Sequence, residues 1–411
     1  MEPAMNALTP SFDPQVIQPL TLIITKLTAR CNLDCPYCYE FNLKDTTWKD
    51  SPKKMSDDVF DALLLRVGNH ARLARQQRVH FSFHGGEPTM VGVKRFEELA
   101  DKARRSLDDL DVHISIQTNG ALLNRDWARM LRRLNVNVGV SLDGPKHVHD
   151  RMRIDHRGRG SYDRVRRGIE ALQDADVRFG ILTVLTLGAD PLEIHHHLLE
   201  LGCKSLSYLL PDLTHDTIGT VREQFGPTPC ADFLIPIFDD WWFNSTLDVR
   251  IRNFWDIARA IMGGHSHVDA LGNRPLRYVV VSCGGDIEGL DVLKACEDGM
   301  VKTGMNVLSD EFSALPQKSP LHSEMVFGRM PLSKQCQSCA ERDTCGGGYH
   351  PHRYARANGF ENPSVWCADL MRLFTHIRVR MEIDHSETNR RRSELMTTAP
   401  IAAPMEDEVP A

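Results

Sequence analysis

Three cysteines lie close together in the N-terminal part of the chain. Cys31, Cys35 and Cys38 are separated by three and then two intervening residues. Three closely spaced thiolates can hold three irons of a cubane iron–sulfur cluster, and the lack of a fourth neighbouring cysteine leaves one iron open to a ligand. The alternatives are a zinc site, which normally has four protein ligands, and buried cysteines that bind no metal. The tight spacing favours the cluster.

A second set of cysteines lies near the C-terminus. Cys336, Cys339 and Cys345 have two and then five intervening residues, and Cys367 stands twenty-two positions after Cys345. Four thiols in one small region suffice for a complete zinc or iron–sulfur site. A zinc ribbon usually pairs two short two-cysteine units, and only one such unit is present here, which favours iron–sulfur.

The first cysteine set must be held in place by the elements around it. From about residue 20 to 210, short β-branched segments alternate with amphipathic helical stretches. The predicted strands are Leu22–Lys26, Val79–Phe83, Val112–Gln117, Val136–Ser141, Phe179–Leu185 and Leu206–Leu210, and the predicted helices are Asp57–Arg72, Val93–Leu107, Arg125–Leu134, Tyr162–Gln173 and Pro191–Leu199. This alternation predicts an α/β fold in which helices cover a parallel sheet, open or curled into a barrel. Reactive residues then belong at the C-terminal ends of the strands, where the cysteine loop begins.

Further motifs stand at the ends of the next three predicted strands. The second strand is followed by Gly-Gly-Glu-Pro at 85–88, the third by Gln-Thr-Asn-Gly at 117–120, and the fourth ends at Ser141, with Arg153 further on. Glycine lets the backbone approach a ligand closely, and a guanidinium suits a carboxylate. Each motif alone can be an ordinary turn or cap. Four motifs at successive strand ends indicate one ligand site.

The cysteine motif, with Tyr37 directly before its last cysteine, is similar to the signature of the radical S-adenosylmethionine (SAM) superfamily. The strand-end motifs extend this resemblance over roughly residues 20–235. The resemblance implies a partial (β/α)6 TIM-like barrel, a 4Fe–4S cluster with an open iron on the three cysteines, and SAM bound there. It also implies that the reduced cluster cleaves SAM to a radical that takes a hydrogen atom from an unactivated carbon.

The resemblance further implies which residues bind SAM, while it assigns no catalytic side chain. These residues are Gly85, Gly86, Glu87, Pro88, Ser141 and Arg153. The first four match the motif whose backbone and carboxylate receive the methionine amino group. By similarity to the branch that contains anaerobic sulfatase-maturating enzymes, Ser141 contacts the cofactor and Arg153 its carboxylate.

The C-terminal cysteines resemble the SPASM extension of radical SAM enzymes, which carries auxiliary clusters. The segment 346–370 is similar to the cyclophane-forming (FxsB-like) subfamily of peptide maturases. These enzymes join an aromatic ring of a ribosomally made precursor peptide to an unactivated β-carbon. The resemblance implies one auxiliary 4Fe–4S cluster on Cys336, Cys339, Cys345 and Cys367, which holds the loops together or accepts an electron from the product.

The chain departs from the longer SPASM pattern at positions where a second auxiliary cluster needs thiols. Tyr349 stands four residues after Cys345, and Asp291 occupies another ligand position. Cys283 and Cys296 are the remaining candidates for such a cluster. The sulfatase-maturase branch places an aspartate base directly after a cluster cysteine, and the surroundings of Cys296 do not match that pattern. We therefore expect one auxiliary cluster.

These observations lead to one expected function and two alternatives. We expect oxidative carbon–carbon crosslinking of a precursor peptide, with an electron donor such as flavodoxin or ferredoxin. A second enzyme class would form formylglycine on a sulfatase, or a thioether. A third interpretation is a non-catalytic iron–sulfur redox sensor or adaptor.

Composition narrows the setting of this chemistry. The 411 residues carry a net charge of −6 with both signs interleaved, which argues against a nucleic-acid surface. No apolar segment reaches the length of a membrane span, and the N-terminus lacks a signal core. Eleven cysteines without an export signal indicate metal ligands and core residues in a cytoplasmic protein.

The length favours more than one domain. The predicted divisions are an N-terminal extension at 1–19, the radical SAM partial barrel at 20–235, bridging helices at 236–274, a loop-rich SPASM-like domain at 275–385 and a disordered tail at 386–411. We also predict that His195, His196 and His197, being consecutive on one helix, cannot all face one metal.

Overall fold

The strand segments of the sequence assemble into one ten-stranded sheet. The computed structural model describes residues 11–245, 247–272 and 274–398. The strands in this part are β1 Leu22–Thr28, β2 Arg78–Gly85, β3 Asp111–Thr118, β4 Asn137–Ser141, β5 Phe179–Val184, β6 Ser205–Leu209, β7 Arg250–Ile251, β8 Tyr278–Val281, β9 Asp286–Glu288 and β10 Lys302–Asn306. Their order is β10-β9-β8-β1-β2-β3-β4-β5-β6-β7. Strands β1 to β7 pair in parallel with their neighbours, so their C-terminal ends share one edge.

Helices connect these strands and cover the sheet. They are α1 Asp57–Leu73, α2 Val93–Ser106, α3 Arg125–Arg133, α4 Lys146–Met152, α5 Tyr162–Asp174, α6 Pro191–Glu200, α7 Gly219–Phe225, α8 Pro229–Asn244, α9 Arg252–Ile261, α10 Leu315–Lys318, α11 Pro320–Val326, α12 Lys334–Gln337, α13 Arg342–Cys345, α14 Cys367–Met381 and α15 His385–Thr398. Side-chain caps fix several starts: Ser56 accepts the Val59 N–H, and Asn124 accepts the Trp127 N–H. The repeated strand–helix units confirm the predicted α/β class and the partial (β/α)6 barrel.

The C-terminal region shares the sheet with the barrel. Strand β8 pairs in parallel with β1, with Leu22 opposite Tyr278, and the antiparallel strands β9 and β10 extend the sheet beyond it. The sheet therefore crosses position 274, where the sequence predicts a domain boundary. This pairing brings residues 276–306 against the loop that follows β1.

Two further sequence predictions concern helices. The tail prediction is wrong for 386–398, because α15 occupies these residues. The hydroxyl of Thr388 donates to the Ile261 carbonyl and accepts from Arg378 at 2.8 Å, and Arg392 donates to the Ala260 carbonyl. These contacts explain why a polar segment is ordered. Residues 1–10 and 399–411 lie outside the described part.

The three consecutive histidines of α6 take different partners, as the helical geometry predicts. His195 is buried and forms a hydrogen bond with the Tyr208 hydroxyl at 2.8 Å. His196 pairs with Asp240 at 2.9 Å, and His197 forms a hydrogen bond with the Tyr162 hydroxyl at 3.0 Å. No helix in the described ranges is both long enough and apolar enough to cross a membrane.

Candidate functional site

Strand β1 delivers the first cysteine set to the C-terminal edge of the sheet. The loop after Thr28 is tied down by backbone bonds, with Cys38 N–H donating to Cys35 O at 2.9 Å and Asp34 N–H donating to Ile154 O at 2.7 Å. The Cys31 sulfur accepts the Leu33 N–H at 3.4 Å and the Asn119 amide at 3.6 Å. N–H donors of this kind stabilise a metal-bound thiolate.

The three thiols share one buried neighbourhood. Burial raises the pKa of the Cys31 thiol, and Glu87, Cys38 and Cys35 raise it further. Burial, with Glu40 and Cys35, raises the pKa of Cys38 to about 12. Without metal these groups are protonated, so ligation of a cluster must displace their protons. The donor set of three adjacent thiols fits a 4Fe–4S cluster with one open iron.

The Gly-Gly motif lets the end of β2 pack against the cysteine loop. Gly85 has a φ of +143°, and a Cβ on it would lie 2.3 Å from the Thr28 oxygen. A Cβ on Gly86 would lie 2.3 Å from the Arg30 oxygen, and Gly86 N–H donates to Thr28 O at 2.8 Å. Only glycine allows this approach. The motif thus sets the position of the loop that carries Cys31.

The Glu87 carboxylate joins the ends of β2 and β3. It is 1% exposed, and its Oε1 accepts from the Thr89 N–H at 3.0 Å and from the Thr118 hydroxyl at 2.6 Å. Its Oε2 accepts the Asn119 N–H at 2.7 Å. These contacts give the side chain a positioning role, and Pro88 begins a short buried turn directly after it. Binding of the methionine amino group by this motif stays a prediction.

An unpartnered acceptor lies at the end of β3. Gln117 donates its amide N–H to the Ser141 hydroxyl at 2.9 Å, while its amide oxygen is buried without a partner. A buried acceptor of this kind calls for a donor from a bound group. The orphaned oxygen beside Ser141 fits a cofactor with N–H or O–H groups, such as SAM.

Arg153 is held beside the cysteine loop by a buried carboxylate. Its Nε donates to Asp143 at 2.9 Å, and the Tyr37 hydroxyl donates to the same oxygen at 2.5 Å. The second Asp143 oxygen accepts the Val184 N–H. Burial lowers the pKa of Arg153, but Asp143 and Tyr37 outweigh this and raise it. Arg153 is thus a charged group next to the cluster loop, and its contact with the SAM carboxylate stays a prediction.

A buried charge network lies beside this loop, and the sequence did not indicate it. Lys26 of β1 contacts Glu40 and lies 3.0 Å from Asp291, while Lys294 lies 2.8 Å from Glu40 and 3.6 Å from Glu288. All five side chains are at most 7% exposed. Neither the spacing of residues nor the composition gives a signal for this network, since its partners are far apart in sequence.

Asp291 belongs to this network. Its carboxylate accepts the Tyr39 hydroxyl at 2.9 Å, one residue after Cys38. Burial raises the pKa of Asp291, but Lys26, His84 and Lys294 outweigh it and hold the pKa well below its usual range. The group that the sequence placed at a ligand position of a second cluster is therefore an ionised partner of Lys26.

Glu288 should make the stability of the protein depend on pH. Burial raises its pKa to about 7 against the pull of Lys294 and Lys26. Between its unfolded pKa and about pH 7 the folded state holds a proton that the unfolded state has lost, so stability falls as pH rises through this window. We expect the free energy of unfolding of the wild type to fall by about 3 kcal/mol across this window, and Glu288→Gln to abolish this fall.

Urea unfolding at several pH values between 5 and 8 checks this expectation. The control Glu170→Gln, an exposed partner of Arg166, should keep the wild-type pH profile. An E288Q profile parallel to that of the wild type would show that Glu288 is ionised throughout.

The second cysteine set lines a cavity that opens to solvent and contains, together with its mouth, about 320 Å³ of space. The Cys336, Cys339, Cys345 and Cys367 side chains all line it, together with Glu341 and Gly347. Cys336 and Cys339 lie around α12, and Cys345 and Cys367 lie at the end of α13 and the start of α14. In the described ranges, no three His, Cys, Asp or Glu side chains are arranged for a single metal ion. A cavity walled by four thiols fits a fully ligated iron–sulfur cluster.

The candidates for a second auxiliary cluster have other partners. Cys283 is buried and donates its thiol to the Lys26 carbonyl at 3.0 Å, and the Cys296 sulfur lies 3.9 Å from the Pro351 carbonyl. Tyr349 packs edge-on against His352, with ring centroids 5.3 Å apart. Both thiols contact backbone carbonyls, and Tyr349 brings no thiol, so one auxiliary cluster remains the prediction.

A family comparison agrees with this site. Residues 25–201 match the model of the Radical SAM superfamily. The matched range contains the three-cysteine loop and the motifs at the ends of β2, β3 and β4. Together with the sheet, the match identifies an enzyme with a radical SAM domain. Its cofactors are a 4Fe–4S cluster and SAM.

Curated relatives and solved structures resemble nearly the whole chain. A cysteine-type anaerobic sulfatase-maturating enzyme of Clostridium perfringens is 27% identical over 371 residues, which is 88% of this chain and 97% of that protein. A serine-type enzyme of the same name from Bacteroides thetaiotaomicron is 25% identical and covers 90% of this chain and 92% of its own. The structure of native anSMEcpe with bound AdoMet and Cp18Cys peptide has a TM-score of 0.75 at 25% identity, covering 90% of this chain and 99% of that chain.

Proposed function

We propose that this enzyme oxidises a ribosomally made peptide and forms a carbon–carbon crosslink between an aromatic side chain and an unactivated β-carbon. The observation that carries the oxidative part of this proposal is the presence of two thiol-lined sites of different ligand number. Three thiols leave an iron open for SAM, whereas four thiols leave no open position and suit electron transfer. A reaction that needs both is a hydrogen abstraction followed by a one-electron oxidation.

The three-cysteine site and the four-cysteine site carry different steps of this proposed reaction. When bound at Cys31, Cys35 and Cys38, the cluster and SAM supply a radical that takes one hydrogen atom from the peptide and ends as methionine and 5′-deoxyadenosine. The peptide then loses one electron and one proton as the new bond forms. In this proposal the four-cysteine site takes that electron, and a donor such as flavodoxin or ferredoxin primes the first turnover.

Support for a peptide substrate comes from the relatives. The solved structure at 25% identity contains a bound peptide, and the curated relatives are named for maturing sulfatases. Support for the crosslink comes from the segment 346–370, which resembles cyclophane-forming maturases, and from Tyr349 in place of a further cluster cysteine. Formylglycine formation is the second candidate, favoured by the names of the relatives.

Mass spectrometry of two peptides separates these functions. The anaerobically reconstituted enzyme is incubated with SAM and dithionite, and with either a candidate precursor peptide, sought among short reading frames next to the gene, or the Cp18Cys peptide. We expect the first peptide to lose two hydrogens and to resist fragmentation between the joined residues. Conversion of the Cp18Cys cysteine to formylglycine, with no crosslink in the first peptide, would establish the second candidate instead.

A further inference from the structure

Arg353 is completely buried next to the four-thiol cavity. Its side chain is 0% exposed. Its Nε donates to the Asn362 carbonyl at 3.3 Å, and its Nη2 donates to the Phe360 carbonyl at 3.0 Å and to that of Pro331. A Cβ built on Gly347, which lines the cavity, would lie 3.6 Å from Arg353 Nε. The guanidinium therefore stands directly behind the cavity wall.

The other buried arginines of the described ranges have a carboxylate partner, and Arg353 does not. Arg153 pairs with Asp143 at 2.9 Å, and Arg378 pairs with Glu341 at 2.6 Å. All Arg353 acceptors named above are neutral backbone carbonyls, and its Nη1 is buried with no hydrogen-bond partner. An uncompensated buried charge is strongly destabilising, so a compensating anion is expected at this place.

The groups able to place negative charge on Arg353 are thiolates of the cysteine set. Burial lowers the pKa of Arg353, and Cys336 and Cys345 offset only part of this lowering. Burial, with Arg353, lowers the pKa of His350 to about 3, so this neighbouring imidazole is neutral and contributes no charge. Four thiolates around a 4Fe–4S core carry a net negative charge, which increases when the cluster takes up an electron.

We infer that Arg353 is the counter-charge of the auxiliary cluster: its free Nη1–H donates to a cluster sulfur and raises the reduction potential, so that the cluster accepts an electron readily. A fixed positive charge in a dry environment favours the state with more negative charge. Hydrogen bonds to cluster sulfurs act in the same direction. The inference rests on the four-cysteine assignment, and it gives that site an electron-accepting role in the proposed oxidation.

The potential of the auxiliary cluster tests this inference without any substrate. In the Cys31→Ala, Cys35→Ala, Cys38→Ala triple variant only the four-cysteine site can hold iron, and spectroelectrochemical titration measures its midpoint. Adding Arg353→Met should lower the equilibrium constant for one-electron reduction of the cluster at least tenfold. This corresponds to a fall of about 59 mV in the midpoint potential. Arg353→Lys, which keeps the charge, should shift it less. Arg342→Met is the control, because Arg342 also lines the cavity but is half-exposed and paired with Asp343.

A second measurement does not depend on the folding of an Arg353 variant. In the triple variant carrying Arg342→Lys and labelled with ¹⁵N-arginine, pulsed electron paramagnetic resonance of the reduced cluster should detect a weak ¹⁵N coupling. An R353M midpoint equal to that of the parent, or no ¹⁵N coupling, would overturn the inference. Absence of iron from the triple variant would instead refute the cluster assignment, and neither result bears on which product the enzyme makes.

Discussion

Replacing Cys35 with alanine should abolish the formation of 5′-deoxyadenosine from SAM. Cys35 is 9% exposed and lies in the loop that β1 delivers to the edge of the sheet. Two remaining thiolates cannot hold three irons of a cubane, so the cluster that binds SAM is lost. We expect iron content to fall by about half, to roughly four atoms per chain, because the four-cysteine site keeps its cluster.

Chromatographic quantification of 5′-deoxyadenosine under anaerobic dithionite conditions, combined with iron analysis, checks this prediction. Cys203→Ala is the matched control. Cys203 is also buried, at 1% exposed, but its thiol donates to the Leu198 carbonyl and belongs to neither cysteine set. C203A should keep the wild-type product yield and iron content. Undiminished 5′-deoxyadenosine from C35A would contradict the assignment of Cys35 to the cluster, whereas no 5′-deoxyadenosine from the wild-type protein would support the non-catalytic sensor interpretation.

The six barrel strands could be predicted because each has a distinct local sequence pattern. A β-branched segment between two helical periodicities leaves little choice of structure. Gly85, Gln117, Thr118 and Ser141 of the strand-end motifs take part in the parallel pairing. The ends differ by only one or two residues: β1 continues from Lys26 to Thr28, because its pairing with β2 shifts register there. Local patterns do not encode such a shift.

The parts that the sequence missed depend on contacts between distant segments. Lys26 stands near the start of the barrel segment and Asp291 follows its end. They meet only because β8 pairs with β1. The helix α15 is mostly polar, so its pattern predicts a tail, yet Thr388 bonds Arg378 and Ile261. In both cases a polar side chain is stabilised by a partner that lies far away in the sequence, so a local pattern does not predict the contact.

The cysteine sets lie between these two cases. Their spacing predicted the loop and the number of thiols at each site, and the cavity within Cys336, Cys339, Cys345 and Cys367 agrees with the grouping. The surroundings were not predictable. The pairing of Arg153 with Asp143, and the lack of such a partner for Arg353, follow from tertiary packing.

Replacing Lys26 with methionine should destabilise the protein by about 3–5 kcal/mol. Burial lowers the pKa of Lys26, but Asp291, Glu40 and Glu288 outweigh it and raise the pKa well above its ordinary value. Methionine keeps the volume and removes the charge, so Glu40 and Asp291 are left with Lys294 as the remaining cation of the network. Removing one member of a buried ion network leaves an uncompensated charge, which is the source of the cost.

Urea unfolding of the anaerobic protein measures this loss of stability, and two further variants interpret it. Lys146→Met removes a lysine that is 55% exposed and paired with Asp150 and Asp163, and it should stay close to the wild type. Adding Asp291→Asn to K26M should recover part of the loss, because it removes one of the two carboxylates left without Lys26. The K26M loss should also shrink at lower pH, since protonation neutralises these carboxylates. A K26M protein as stable as K146M would mean that water or a rearranged side chain compensates the charge, and that Lys26 is not the centre of the network.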